Sequence, residues 1–358
     1  MSLRFYPLTI KEINQETSEC ISISFHIPED LKEIFAYKQG QNVTIKTNIN
    51  GEDVRRTYSL CSTPLSNEFR VAIKLLEGGL FSNYVYKNFN VGDVLDVMPP
   101  IGKFYTEVHA NNTKNYVAFA AGSGITPIMS IIKTILLTEP NSKVTLVYGN
   151  KKNNSIIFKE DIHALKNKFL QRFQLIHTFS REQTDAPINF GRIDVNKLNQ
   201  LSSLIQYNNV DEFFICGPEE MTICVKNFLE AKNIHKQKIH FELFIASGAK
   251  STITKKATIS TKTGDAAIYV KVDGRSFNFN LPNNSNISIL DAAIQQGADL
   301  PYSCKGGVCT TCKAKLIEGK VEMDVHWGLE QEEIDKGYIL TCQSHPITEK
   351  VVVDFDQR

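Results

Sequence analysis

The chain has 358 residues, too many for one ordinary core at roughly 100–200 residues per domain, so three domains are expected. Its 40 Lys and Arg balance 39 Asp and Glu, which supplies no basic surface for nucleic acid or an anionic membrane. No stretch approaches the ~20 apolar residues of a membrane span, and the N-terminus lacks the apolar core of a signal peptide, so a cytoplasmic protein is expected.

From Phe5 to about Tyr105, short alternating runs at 20–27, 42–48, 54–60, 69–74 and 93–98 are punctuated by Gly40, Gly51, Pro64 and Pro99. Short strands at such spacing predict an antiparallel β-barrel or sandwich. From Asn115 the rhythm changes, and apolar strands alternate with helical stretches near 125–137, 158–168, 195–204 and 218–232. That alternation predicts a doubly wound α/β domain, a parallel sheet whose ligands bind at the carboxyl ends of its strands. Residues 247–265 are small, polar and basic, the composition of a linker. A hairpin-like pair at 267–281, a helix from Ile289 and a cysteine-bearing loop then suggest a small α+β unit.

The most informative motif lies in that last unit. Cys304, Cys309, Cys312 and Cys342 fall as C-x4-C-x2-C with a distant fourth, the plant-type spacing for a 2Fe-2S cluster. Gly306 and Gly307 let the loop wrap closely enough to aim backbone N–H groups at sulfur. Structural zinc is the alternative, but it usually takes two close ligand pairs, whereas here three ligands share one glycine-rich loop. Of the remaining thiols, Cys20, Cys61 and Cys224 read as buried packing residues.

Three further motifs carry chemistry. In the first domain, Arg56-Thr57-Tyr58-Ser59 ends a strand, and Gly78-Gly79-Leu80-Phe81-Ser82 opens a helix. Arginine offers a fork for phosphate, tyrosine a face for a flat ring and serine a hydroxyl for a ring nitrogen, while the glycines bring N–H groups to a diphosphate. Alone, the tetrapeptide reads as an ordinary barrel strand; coupled to the glycine pair and an α/β domain, it reads as a flavin site. In the second domain, Gly122 and Gly124 follow a strand with Pro127 in the first helical turn, and Cys216-Gly217-Pro218-Glu219-Glu220-Met221 forms a second strand-to-helix turn. Between them Ser180 and Arg181 close a strand, where they are candidates for the 2′-phosphate that separates NADPH from NADH; a solvated loop charge is the alternative for Arg181.

In this order the motifs resemble the ferredoxin-NADP reductase superfamily with a fused plant-type ferredoxin domain. Within it, RRTYSLCS, VAIKLLEGGLFSNY and the segment around Cys342 are most similar to the reductase subunits of phenylacetyl-CoA epoxygenase complexes. The resemblance implies domains at 1–110 (flavin), 111–246 (nicotinamide) and 266–358 (β-grasp ferredoxin), joined by the 247–265 linker. It implies that electrons pass from NADPH through FAD and 2Fe-2S to a separate di-iron oxygenase, in phenylacetate catabolism. It makes Arg56 a flavin phosphate ligand, Tyr58 a partner of the flavin ring and Ser59 a donor near its reactive nitrogen, with Thr57, Val71, Ile73, Lys74, Gly78, Leu80 and Phe81 around the same group. Gly79 and Ser82 would hold the diphosphate, and Thr126 would lie near flavin and nicotinamide together. Cys216 would border the nicotinamide beside Gly217, Pro218 and Met221. FMN and NADH, used by phthalate-dioxygenase-type reductases or by reductases of other oxygenases and hybrid-cluster proteins, are the alternatives. A non-catalytic flavin and iron-sulfur redox sensor is the rival of another class.

Two other features have plain readings. The acidic run 318–335 reads first as a solvated face, and Trp327 and His345 as structural residues.

Overall fold

The computed structural model describes residues 4–244, 264–282 and 285–357, so nearly all of the expected linker lies outside the described residues. The chain divides into two compact units, one spanning Phe5–Phe244 and the other formed by the remaining residues.

The first unit begins with β1 (Tyr6–Thr17), β2 (Cys20–His26), β3 (Asn42–Ile49), β4 (Glu52–Ser59) and β5 (Phe69–Lys74), followed by α1 (Leu80–Asn88) and β6 (Val94–Val97). They form one antiparallel sheet in the order β4-β3-β6-β1-β2-β5, and a bridge between Leu60 and Val71 joins its two end strands into a barrel. Asn50 and Gly51 both take positive φ (56° and 88°), the two-residue turn that best matches strand twist in the β3–β4 hairpin. Leu8, Ile23, Val43, Ile45, Leu60, Val71, Ile73 and Phe81 fill the interior. Strand β1 is absent from the predicted runs. Of its residues only Leu8 and Ile10 are buried, and bulges after Ile10 and Gln15 break the alternation that marks a strand.

The rest of this unit is β7 (Asn115–Ala121), α2 (Ile125–Thr138), β8 (Lys143–Asn150), α3 (Lys159–Lys168), β9 (Phe173–Phe179), α4 (Val195–Leu201), β10 (Glu212–Gly217), α5 (Glu219–Ala231) and β11 (Ile239–Leu243). The strands pair in parallel in the order β11-β10-β7-β8-β9. The chain winds outward from β7 to β9 and then returns to β10 on the other side of β7. The crevice between β7 and β10 is therefore the switch point, where open α/β sheets bind ligands.

The second unit holds β12 (Asp265–Val272), β13 (Arg275–Pro282), α6 (Ile289–Gln295), β14 (Lys313–Glu318), β15 (Val321–Met323), α7 (Gln331–Asp335), β16 (Tyr338–Leu340), β17 (Ser344–Pro346) and β18 (Lys350–Asp354). A sheet in the order β13-β12-β18-β14-β16 grips α6, which buries Ile289, Leu290, Ala292 and Ala293 and is capped by Ser288 Oγ accepting from the Asp291 N–H at 3.1 Å. No helix among the described residues is long and apolar enough to cross a membrane.

Cys20, Cys61 and Cys216 are buried, while Cys224 on α5 packs against the core but is only half-buried, so full burial there needs correction. Within the 318–335 run, Glu318 pairs with Lys350, Asp324 with His345 and Glu333 with Lys313, all inside one unit.

Candidate electron-transfer site

On the barrel, β3 and β4 pair so that Asn42 lies opposite Ser59 and Val43 opposite Tyr58. The Tyr58 ring leans on buried Phe81 from α1, with centroids 5.8 Å apart. Burial pushes the Tyr58 hydroxyl pKa up, so it remains a neutral, half-buried aromatic surface at the strand end. Arg56 and Thr57 precede it, half-buried. The turn before α1 needs glycine: a Cβ on Gly79 would meet Ser82 Oγ at 2.7 Å and Leu76 Cβ at 3.0 Å. Ser82 Oγ accepts from the Leu76 N–H at 3.1 Å, and Gly78 takes φ +70°, a conformation that favours glycine. Val71 and Ile73 are wholly inside the barrel core, so their side chains support this edge from beneath; Leu80 is about half exposed.

At the switch point, the two strand-to-helix turns touch backbone to backbone. A Cβ on Gly124 would lie 2.1 Å from the Cys216 carbonyl oxygen and 2.7 Å from the Gly217 nitrogen, and one on Gly217 would lie 3.2 Å from the Ala121 nitrogen. Only glycine permits that approach. Gly122 takes φ +54°, and its carbonyl accepts from the Tyr148 hydroxyl at 3.1 Å. Thr126 is buried, with Oγ1 donating to the Ser123 carbonyl at 3.0 Å. Cys216 is fully buried, which raises its thiol pKa well above the ordinary value and keeps it neutral. Met221 covers Gly217 from α5, after Pro218 has ended the strand.

The barrel reaches this turn with Lys74, whose Nζ lies 3.9 Å from where a Gly122 Cβ would stand. Sequence reasoning missed a second link, Glu242 on β11. Its carboxylate accepts from Ser59 Oγ at 3.0 Å and from Asn42 Nδ2 at 3.4 Å, joining the last strand of the parallel sheet to the barrel. Burial drives its pKa up to about 7, partly opposed by the hydrogen bonds from Ser59 and Asn42. The signal available in the sequence was one acid inside the apolar strand IHFEL. The same strand presents His240 to Glu212, which also takes Lys114 Nζ and Thr106 Oγ1.

At the far end of the sheet the Ser180 N–H donates to the Asn150 carbonyl at 3.0 Å, which extends the β8–β9 ladder by one residue. Phe190, also missed, bridges Phe179, the last residue of β9, and is 41 % exposed. Its signal was a lone aromatic in a loop rich in small and polar residues.

In the second unit, positive φ at Lys305, Gly307 and Thr310 curls the cysteine loop so that its N–H groups face sulfur. The Gly306 N–H donates to Cys304 Sγ at 3.3 Å, the Cys304 N–H to Cys309 Sγ at 3.4 Å, and Thr311 Oγ1 to Cys309 Sγ at 3.2 Å. Hydrogen bonding from Cys309, ahead of that from backbone N–H groups, lowers the Cys304 thiol pKa, while the same pairing and burial raise that of Cys309. The sulfurs form two pairs, Cys304 with Cys309 and Cys312 with Cys342. Two thiol pairs fed by backbone donors fit a two-iron cluster better than one zinc ion. Trp327 is half-buried beside this loop, where the Gly328 N–H donates to the Gly307 carbonyl at 2.9 Å.

Comparison with known proteins agrees with this geometry. Residues 7–105 match the family described as oxidoreductase FAD-binding domain, 119–227 the oxidoreductase NAD-binding domain, and 270–346 the 2Fe-2S iron-sulfur cluster binding domain. The chain is 42 % identical over 355 residues to a subunit of the 1,2-phenylacetyl-CoA epoxidase of Escherichia coli (strain K12), covering 99 % of this chain and 98 % of that one. It is 32 % identical to the ferredoxin reductase component of 3-ketosteroid-9-alpha-monooxygenase from Rhodococcus rhodochrous, over 97 % of this chain and 96 % of that one. Among solved structures, phthalate dioxygenase reductase shares the fold at 21 % identity and a TM-score of 0.59, with 98 % of each chain covered. An intact type IV self-sufficient cytochrome P450 monooxygenase matches at 19 % identity and a TM-score of 0.70, over 98 % of this chain and 41 % of that one. With FAD-binding, NAD-binding and 2Fe-2S domains in one order and such identity along its whole length, the chain belongs to the family of oxidoreductases that serve as reductase components of oxygenase systems.

Proposed function

We propose that this protein is an NADPH-dependent reductase that passes electrons through FAD and a 2Fe-2S cluster to a separate di-iron oxygenase, the phenylacetyl-CoA epoxidase of phenylacetate catabolism. The observation that carries the reading is Glu242. A carboxylate from the nucleotide sheet bonded to the barrel serine supports the reading that the flavin edge and the nicotinamide turns face one cleft. The 42 % identity to a component of such an epoxidase supports the choice of acceptor. The domain bounds 1–110, 111–246 and 266–358 belong to the same reading.

A bound flavin supplies the exchange between a donor of two electrons and an acceptor of one. The chain's own residues do the rest. Arg56 and the Gly78–Ser82 turn bind phosphate, and Tyr58 and Ser59 orient the ring. The glycines at 122, 124 and 217 would leave room for the nicotinamide, with Thr126 and Cys216 supporting the same turns. Ser59 Oγ and the Glu242 carboxyl hold a proton at the edge of the cleft and, with a pKa of about 7, can release or take it at neutral pH. Cys304, Cys309, Cys312 and Cys342 hold the cluster.

Ser180 and Arg181 support NADPH over NADH, since an exposed guanidinium beside a hydroxyl matches a 2′-phosphate. Anaerobic titration of the purified protein with each coenzyme, followed by absorbance, tests this. Arg181→Ala should raise KM for NADPH about tenfold or more and spare NADH, because one charge-assisted contact is worth roughly 1.5–3 kcal/mol. An equal loss with both coenzymes would make the arginine structural.

A further inference from the structure

Besides Ser59, the Glu242 carboxyl touches Asn42, whose side chain has no part in the function proposed above. The backbone of Asn42 is held on both sides. On one it pairs with Ser59 across β3 and β4; on the other its N–H donates to the Ile101 carbonyl at 2.8 Å, and the Ile101 N–H donates back to the Asn42 carbonyl at 2.9 Å. The side chain is buried and packs where Gly102 has no Cβ, since one there would stand 3.0 Å from Nδ2. Gly102 takes φ +123°, a conformation that also favours glycine.

The amide is engaged at one end only. Nδ2 donates to Glu242 Oε1 at 3.4 Å, while Oδ1 is buried with no partner among the described residues. A buried carbonyl oxygen without a donor destabilises a fold, and an apolar residue of the same size would avoid that cost, so the asparagine is explained by its NH2 group. That group is donor only, and an Oε1 that faces it accepts and cannot carry a proton toward it. Oε2 faces the Ser59 hydroxyl, which can donate or accept. The other titratable groups around Glu242 do not compete. Burial keeps the Cys216 thiol, its register partner on β10, neutral, and His240 on the same strand is turned to Glu212, which also holds Lys114.

We propose that Asn42 is a positioning residue for the Glu242 carboxyl: its amide keeps Oε1 as an acceptor and so directs the exchangeable proton to Oε2, where Ser59 Oγ receives it. This rests on the proton role given to Glu242 and adds that β3 of the barrel chooses which oxygen titrates. When the carboxyl ionises, the Nδ2 group supports its negative charge. When it takes a proton, Oε1 stays bonded to Nδ2 and the Oε2 hydrogen points at Ser59. Without the amide the two oxygens compete for the proton, and part of the population holds it away from the serine. Donation to the charged form also lowers the carboxyl pKa, so Asn42 draws back toward neutrality a value that burial alone would set higher.

The flavin-loaded full chain tests this as wild type, Glu242→Gln, Asn42→Leu and Asn42→Ser. Two readouts are followed against pH: the infrared C=O stretch of the protonated carboxyl, assigned by its loss in Glu242→Gln, and the kcat and KM of NADPH-driven ferricyanide reduction. Asn42→Leu should raise the midpoint of the band and the kinetic inflection together by about 0.5–1 pH unit. It should lower plateau kcat about three- to tenfold and leave KM for NADPH within about twofold. Asn42→Ser, a smaller side chain that also withdraws the amide, should give the same upward shift. If Glu242→Gln leaves the band and the inflection in place, the titrating group lies elsewhere, and the proton role of Glu242 fails together with this inference. If Glu242→Gln removes both while the Asn42 variants leave the midpoint unmoved, Glu242 keeps its role and that of Asn42 is refuted. A downward shift also refutes it, since Oδ1 would then serve the protonated carboxyl, and so does a loss confined to KM, which would mark a residue that only shapes the barrel.

Discussion

Replacing Glu242 with Gln should make the protein slower and, at alkaline pH, more stable. The carboxyl pKa rises from 4.5 to about 7 on folding because burial opposes its charge. The native state therefore holds a proton that the unfolded chain releases between these values. Stability from this group is full below pH 4.5 and is lost as pH rises through about 7. At 1.36 kcal/mol per unit the shift corresponds to ~3 kcal/mol, which the residue's partial exposure discounts to about 1–2 kcal/mol. Glutamine has the same shape and never ionises, so Glu242→Gln escapes that loss. For a unit of this size the gain is a rise in Tm of roughly 2–8 °C at pH 8, closing toward zero below pH 5. Turnover should move the other way, with NADPH-driven ferricyanide reduction falling by about 10²-fold, as expected for a lost proton-transfer group, and its inflection near pH 7 disappearing. Thermal unfolding at pH 5 and pH 8 and a kcat–pH profile measure both effects. A Tm gain of equal size at the two pH values, or a variant that keeps the inflection, would refute the argument, because the titrating group would then lie elsewhere.

Cys309→Ser should leave flavin binding and ferricyanide reduction near wild type while abolishing cluster absorbance and electron delivery to the oxygenase; delivery at the wild-type rate would make the flavin the direct donor. Gly124→Ala adds a Cβ 2.1 Å from the Cys216 carbonyl oxygen at a backbone geometry that any residue accepts, so the cost is steric. It should destabilise the first unit by about 3 kcal/mol and weaken both coenzymes alike, and an unchanged Tm would mean that the two turns separate freely. For Glu212, burial opposes ionisation, but hydrogen bonds from His240, Lys114 and Thr106 outweigh it and hold the pKa near 2, down from 4.5. Its contribution is present above pH 4.5 and lost as pH falls toward 2. Glu212→Gln should therefore cost about 1–2 kcal/mol at pH 7, after discounting for screening, and almost nothing near pH 2 in urea unfolding; a pH-independent cost would refute the assignment.

What was legible in the sequence was what neighbours along the chain encode. The cysteine spacing, the glycines before α1 and α2 and the alternation of apolar runs with helices each lie within a few residues, so periodicity and loop composition reported them directly. Strand β1 escaped because its pairing on both sides, to β2 and β6, stabilises a sequence with only two buried side chains and two bulges. The short strands after the cysteine loop escaped because segments of three residues, such as β15, β16 and β17, show no period at all. The candidate site itself depends on separations no local pattern can carry. Ser59 meets Glu242 across 183 residues, and Gly124 meets Cys216 only because the chain returns past β7 to lay down β10. Sequence alone specified which groups were available to bind flavin, nucleotide and iron. Strand order and barrel closure brought Ser59 to Glu242 and Gly124 to Cys216, and burial, a property of the assembled sheets, raises the Glu242 carboxyl pKa to about 7.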